Sequence, residues 1–142
     1  MAGRNKKEKA GPAYLREQGN RGPQKPKKRK LTFSLEYLLD KTEGQTLAEW
    51  QELGHLAAMN EMMRHLCKYT CEEALQDGSI KQYQKWPDHS KFTEPKHLPG
   101  VTWGSMHITK KSKQVVAGFF DENVFNIVFL DKDHLFYPMA EK

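Results

Sequence analysis

The sequence predicts an α+β protein: two helices packed on one face of a three- to four-stranded antiparallel sheet, preceded by a disordered basic arm. Three observations predict it. Apolar residues between Leu47 and Leu66 recur close to the 3.6-residue period of a helix. From Val101 onward they gather instead into short runs rich in Val, Ile, Phe and Trp, separated by turns. Helices first and strands second is the α+β order. Finally, the composition changes abruptly at Leu31, which divides an arm over residues 1–30 from a single domain over residues 31–142.

The arm comes first. Met1–Lys30 holds eleven Lys or Arg against Glu8 and Glu17, a net +9. The whole chain is +5, so residues 31–142 carry −4, from twelve basic and sixteen acidic side chains. Gly, Pro, Asn, Gln and charge dominate the arm, with only Tyr14 and Leu15 to bury. Such a composition cannot offset the entropy of ordering, so disorder is expected.

After Leu31, Ser34 is a good helix N-cap ahead of Leu35, Tyr37, Leu38 and Leu39, which predicts one or two helical turns. Thr46 and Glu49 form a capping box, Thr-x-x-Glu, at the start of the clearest helix. Its apolar positions are Leu47, Trp50, Leu53, Leu56, Met59, Met63 and Leu66, with Gly54 and Ala57 in the same repeat. Thr70 and Glu73 repeat the capping box, so a second helix should run from Cys71 to about Asp77, ended by Gly78. Pro87, Pro95, Pro99 and Gly100 mark residues 84–100 as an irregular connection. Val101–Thr109, Gln114–Phe120 and Val124–Leu130 are three strands, joined by turns at Lys110–Lys113 and Asp121–Asn123. They form a meander, and Phe136-Tyr137 adds a short fourth strand ended by Pro138.

Composition bounds the function. No run approaches the roughly 18 apolar residues of a membrane span, and no apolar stretch follows the N-terminal charges as in a secretory signal. Cys67 and Cys71 make no disulfide framework. A cytoplasmic location is the simplest reading, although Lys25-Pro-Lys-Lys-Arg-Lys30 has the character of a nuclear localisation signal in a eukaryote. There is no serine elbow and no phosphate-binding glycine loop, so most enzyme classes find no support.

The arm's cations, with Lys25, Lys27, Lys28, Arg29 and Lys30 at their densest, suit electrostatic contact with nucleic-acid phosphates. Little aromatic interleaving accompanies them, so base stacking is not expected from the arm. Lys110, Lys111 and Lys113 form the basic cluster of the body and are the second expected phosphate contact. Cys67 and Cys71, near His65, are read as small apolar residues at a helix corner, because the cap at Thr70 separates them and no second Cys pair completes a tetrahedral set. No metal and no cofactor are expected. Trp103, Ser105, His107 and Thr109 share one face of their strand and could offer a binding or general-base surface if that face is open. Asp131-Lys-Asp133-His134 places a carboxylate beside a histidine at a strand end.

The stretch Val115–Tyr137, which contains Val-Val-Ala-Gly-Phe-Phe-Asp-Glu-Asn-Val-Phe-Asn-Ile-Val-Phe-Leu-Asp-Lys-Asp-His, resembles the C-terminal half of small mobile-element (phage or plasmid) proteins of bacteria. Their hairpin ends in an Asp-x-x-His-x-x-Tyr-like pattern, here Asp131, His134 and Tyr137. More loosely, the layout is similar to RelE/HigB-type toxins, which cut messenger RNA on the ribosome. That resemblance implies His134 and Tyr137 as acid–base residues, with Lys111 and Lys113 on phosphate. The chain departs from the toxins at Lys113-Gln114, where they commonly place an Arg entering the central strand.

The expected function is therefore that of a small cytosolic mobile-element protein whose basic arm binds a polyanion, RNA or a ribonucleoprotein. The alternatives are a non-enzymatic protein-binding inhibitor of a host machine and a toxin-type ribonuclease.

Overall fold

The structure is a computed structural model that describes residues 29–39 and 43–138. Among the described residues there are three helices and a five-stranded mixed sheet, rather than two helices on an antiparallel sheet. The order is β1 (Thr32–Ser34), α1 (Leu47–Leu53), α2 (His55–Leu66), α3 (Cys71–Asp77), β2 (Ile80–Gln82), β3 (Thr102–His107), β4 (Val115–Asp121) and β5 (Val124–Asp131). The strands lie in the sheet as β1-β5-β4-β3-β2.

Both predicted capping boxes form. The Thr46 hydroxyl accepts from the Glu49 N–H, the Glu49 carboxylate accepts from the Thr46 N–H, and Thr70 and Glu73 do the same at α3. The helix expected over residues 46–66 is instead two. Gly54 adopts φ 81°, and its N–H donates to the Gln51 carbonyl, closing α1 and redirecting the chain into α2. A residue without a Cβ enters that left-handed conformation at little cost, so the glycine overrides the apolar periodicity around it.

Ser34 does not cap a helix. Its hydroxyl accepts the Glu36 N–H in a turn, while Thr32–Ser34 extends and pairs in parallel with Val124–Asn126 of β5. A long-range ladder and the burial of Leu31 outweigh the local helix signal. The other unforeseen strand, β2, is equally short and pairs with Ser105 and its neighbours on β3. Phe136-Tyr137 is not a strand; Phe136 is fully buried, and its N–H donates to the Asp131 carboxylate at the end of β5.

The meander β3–β4–β5 forms as expected, with one irregularity that matters below. Ala117 pairs with Phe129 but Gly118 pairs with Ile127, so Val128 is an extra residue on β5. Its carbonyl accepts from the Leu39 N–H at 2.9 Å instead of from the sheet. This bulge reverses the alternation along β5. Phe125, Ile127 and Leu130 face the helices, packed with Trp50, Met59, Leu66 and Met106. Val128 and Phe129 face the other way, packed with Trp103, Phe119 and Phe136. Gly118 is obligatory there, because a Cβ would collide with the Asn126 carbonyl.

The face bearing Trp103 and Ser105 is thus not open. Trp103 is 0 % and Ser105 2 % exposed, covered by Trp86, Phe92, Leu98 and Phe136 from the irregular segments. Trp86 meets Trp103, Phe129 and Phe136 edge-on, at ring centroids 4.8, 5.9 and 5.0 Å apart. Only the strand's end, at His107, escapes this cover.

Candidate functional site: a lysine-lined cleft at one end of the sheet

Strand register brings the site together. His107 of β3 pairs with Val115 of β4, and Val115 pairs with Asp131 of β5. The β3–β4 loop and the segment after β5 therefore leave the sheet side by side. Lys81, opposite Ser105 on the edge strand β2, completes the row. Between them lies a cleft of about 530 Å³ lined by Lys81, Tyr83, His107, Lys110, Lys111, Ser112, Lys113, His134, Tyr137 and Pro138. Four of these are lysines and none is acidic.

The loop after β5 is shaped by Asp131. The bulge turns this residue to the face away from the helices, where its carboxylate is fully buried and accepts the Leu135 N–H at 2.9 Å and the Phe136 N–H at 2.7 Å. Burial pushes its pKa up, against the lowering effect of those two hydrogen bonds. The tight turn puts His134 at φ 61°, a left-handed conformation unusual for a residue with a side chain. Backbone in that region is held by its surroundings and clusters at functional sites. Here the hold is a 2.8 Å hydrogen bond between His134 Nδ1 and the Tyr137 carbonyl. A carbonyl only accepts, so Nδ1 carries the proton and Nε2 is the nitrogen left for a ligand.

His107 and His134 face one another with ring centroids 5.5 Å apart. Burial depresses the His107 pKa first, with the His134 and Lys81 charges adding to it against a hydrogen bond to the Ser112 backbone. His107 is therefore biased toward its neutral form. Tyr83 and Tyr137 stack with centroids 4.9 Å apart and planes 13° off parallel. The Tyr83 hydroxyl is 3.0 Å from the Ser105 hydroxyl. Burial raises the Tyr83 pKa, so the phenol stays protonated. Lys113 lies 3.6 Å from Asp133, which also pairs with Lys132 at 3.0 Å, so this one cleft lysine is partly neutralised. The Lys132 hydrogen bond is the main cause holding the Asp133 pKa down.

The structure thus brings together Lys110, Lys111, Lys113, His134 and Tyr137; in the sequence the lysines and the His134–Tyr137 segment are separate clusters, which only the toxin resemblance set side by side. Tyr137, expected as an acid–base residue, gives its carbonyl to His134 and its ring to Tyr83. Sequence reasoning missed Lys81, on a strand too short to show alternation, and Tyr83 just after it, and placed His107 on a surface apart from the lysines. Lys25, Lys27 and Lys28 lie outside the described residues. Arg29 and Lys30 sit at the far end of the sheet. Arg29 pairs with Glu122 at 3.3 Å, both side chains largely exposed, and the Lys30 carbonyl accepts from Asn123 Nδ2 at 2.9 Å.

Other features carry less. A larger hollow of about 720 Å³ runs beside Trp86, Asp88, Glu94 and Trp103, with Lys85 as its one cation. Cys67 is exposed and Cys71 half-buried, both as free thiols, and burial raises the Cys71 pKa. Among the described residues no three His, Cys, Asp or Glu side chains are grouped to hold a metal ion. No helix among them is long and apolar enough to cross a membrane. In comparisons with known protein families, curated proteins and solved structures, the chain matches none.

Proposed function

We propose that this protein binds RNA, alone or in a ribonucleoprotein, with the lysine-lined cleft holding the phosphate backbone and the basic arm adding affinity. The observation that carries this reading is the convergence of Lys81, Lys110, Lys111 and Lys113 on one concavity with no acidic lining, in a body that is otherwise net negative. A cleft of about 530 Å³ suits a single strand; duplex readout needs an element laid along a groove. The test is RNA binding by the chain lacking residues 1–28. Binding should weaken but persist, with a shallower dependence on salt, because the cleft keeps its own phosphate contacts. Complete loss would return all the affinity to the arm and sink the role of the cleft.

The paired imidazoles favour a second reading, metal-independent RNA cleavage. In that reaction neutral His107 takes the proton of a 2′-hydroxyl, whose oxygen attacks the adjacent phosphorus. The bond from phosphorus to the 5′-oxygen breaks, and His134 as general acid gives an Nε2 proton to that oxygen, leaving a 2′,3′-cyclic phosphate and a 5′-hydroxyl. Lysines around the phosphate would stabilise the developing charge. His107→Ala and His134→Ala should each lower the cleavage rate about 10²- to 10⁴-fold while RNA stays bound. The acidic limb of the rate profile should fall below the ordinary histidine value of about 6.5, since His107 resists protonation. Absence of cyclic-phosphate product from RNA in the wild type would remove this second reading and leave binding intact.

A further inference from the structure

We propose that the hollow beside Tyr137 is a nucleobase subsite, which takes the base of a nucleotide whose phosphate lies in the lysine cleft. The inference rests on the RNA-binding reading and adds to it the part of the ligand that phosphate contacts do not recognise. The hollow measures about 290 Å³ and is lined by Pro87, Asp88, His89, Tyr137 and Pro138. It shares Tyr137 and Pro138 with the cleft, so the two concavities meet across one aromatic ring.

Tyr137 is 47 % exposed although its ring is stacked on Tyr83. Tyr83 does not line the hollow, which leaves the hollow to the part of the ring that Tyr83 does not cover. A large aromatic side chain presented to water beside a cation-lined groove is the arrangement that single-stranded nucleic acids use, with phosphates on the cations and bases on the rings. The stack behind Tyr137 and the carbonyl bond to His134 hold this platform in place, so little ordering remains to be done on binding. Pro87 and Pro138 supply apolar walls. Asp88 and His89 supply hydrogen-bonding groups for a base edge, with the Asp88 carboxylate steadied by Lys85 at 3.3 Å.

The experiment compares the full-length protein on three probes over a salt series: a short single-stranded RNA, the same strand made abasic, and inorganic polyphosphate. The wild type should prefer the RNA to its abasic form by roughly 5- to 150-fold, the range of one base stacked on an aromatic ring. Tyr137→Ala should abolish that preference without changing the slope of log affinity against log salt or the binding of polyphosphate. Tyr137→Phe should restore the preference, because stacking needs the ring and not the hydroxyl. Equal wild-type affinity for RNA and abasic strand, with polyphosphate still bound, overturns the base subsite and spares the phosphate-binding reading. Failure of the wild type to bind RNA or polyphosphate overturns both. An altered salt slope or lost polyphosphate binding in Tyr137→Ala overturns the assignment of Tyr137 to the base.

Discussion

Replacing Lys81, Lys110, Lys111 and Lys113 together by glutamine is expected to reduce the salt slope of RNA binding by nearly three. Each phosphate contact on a single strand contributes about −0.7 to that slope, so four contacts contribute about −2.8. Over a rise from about 50 to 200 mM salt, the wild type should therefore lose about fifty-fold more affinity than the variant. Singly, Lys113 should contribute least, because Asp133 already sits beside it. The four positions lie on a loop and an edge strand, where exposed substitutions usually cost within about 0.5 kcal/mol of stability. Fold and site effects will separate cleanly. Glutamine at the exposed lysines Lys68, Lys91 and Lys96, which do not line the cleft, serves as the charge control for the triple variant at Lys81, Lys110 and Lys111, whose slope should fall by about two. An equal fall in slope from that control would show that the cleft has no special hold on phosphate.

Asp131→Ala is expected to cost the folded protein on the order of 2–4 kcal/mol and to disorganise the cleft at the same time. The change removes the acceptor for two N–H groups, on Leu135 and Phe136, and leaves each to bear a desolvation cost of about 1–3 kcal/mol. Relief of the carboxylate's own burial offsets part of this, which is why the sum is not reached. The pKa shift has a sign that thermal denaturation can read. A carboxyl raised by folding favours the folded state most below its unfolded value of about 3.9, and that contribution is lost as pH climbs through the folded value. The wild type should therefore lose this increment as pH rises above the unfolded value, and Asp131→Ala should not. A variant that melts like the wild type and still binds RNA would show that the loop holds itself without this anchor.

The sequence revealed local structure best where side chains bond to their own backbone. Thr46 with Glu49 and Thr70 with Glu73 placed two helix starts, because a capping box is complete within four residues. It failed where a distant partner decides. Thr32–Ser34 and Ile80–Gln82 are three residues each, too short for alternation to show, and exist because β5 and β3 offer them ladders. Gly54 was read as one more position on a helix face, and its freedom to adopt positive φ was the signal overlooked. The site was legible as parts. Lys110–Lys113 and His134–Tyr137 were visible as clusters, but their meeting depends on a register in which His107, Val115 and Asp131 lie abreast. The orientation of Asp131 was hidden altogether, since strict alternation puts it with Phe125 and Ile127, and only the extra residue at Val128 reverses it.

β5 also works as a ruler. It starts beside Asn123, where the Lys30 carbonyl is held, and ends at the turn that carries His134. Eight residues of strand at about 3.3 Å each separate these points by roughly 25 Å. Lys30 thus lies at one pole of the molecule and the cleft opens at the other. On the RNA-binding proposal, a strand caught at one pole would make the second capture intramolecular, with a strength governed by reach rather than by bulk concentration.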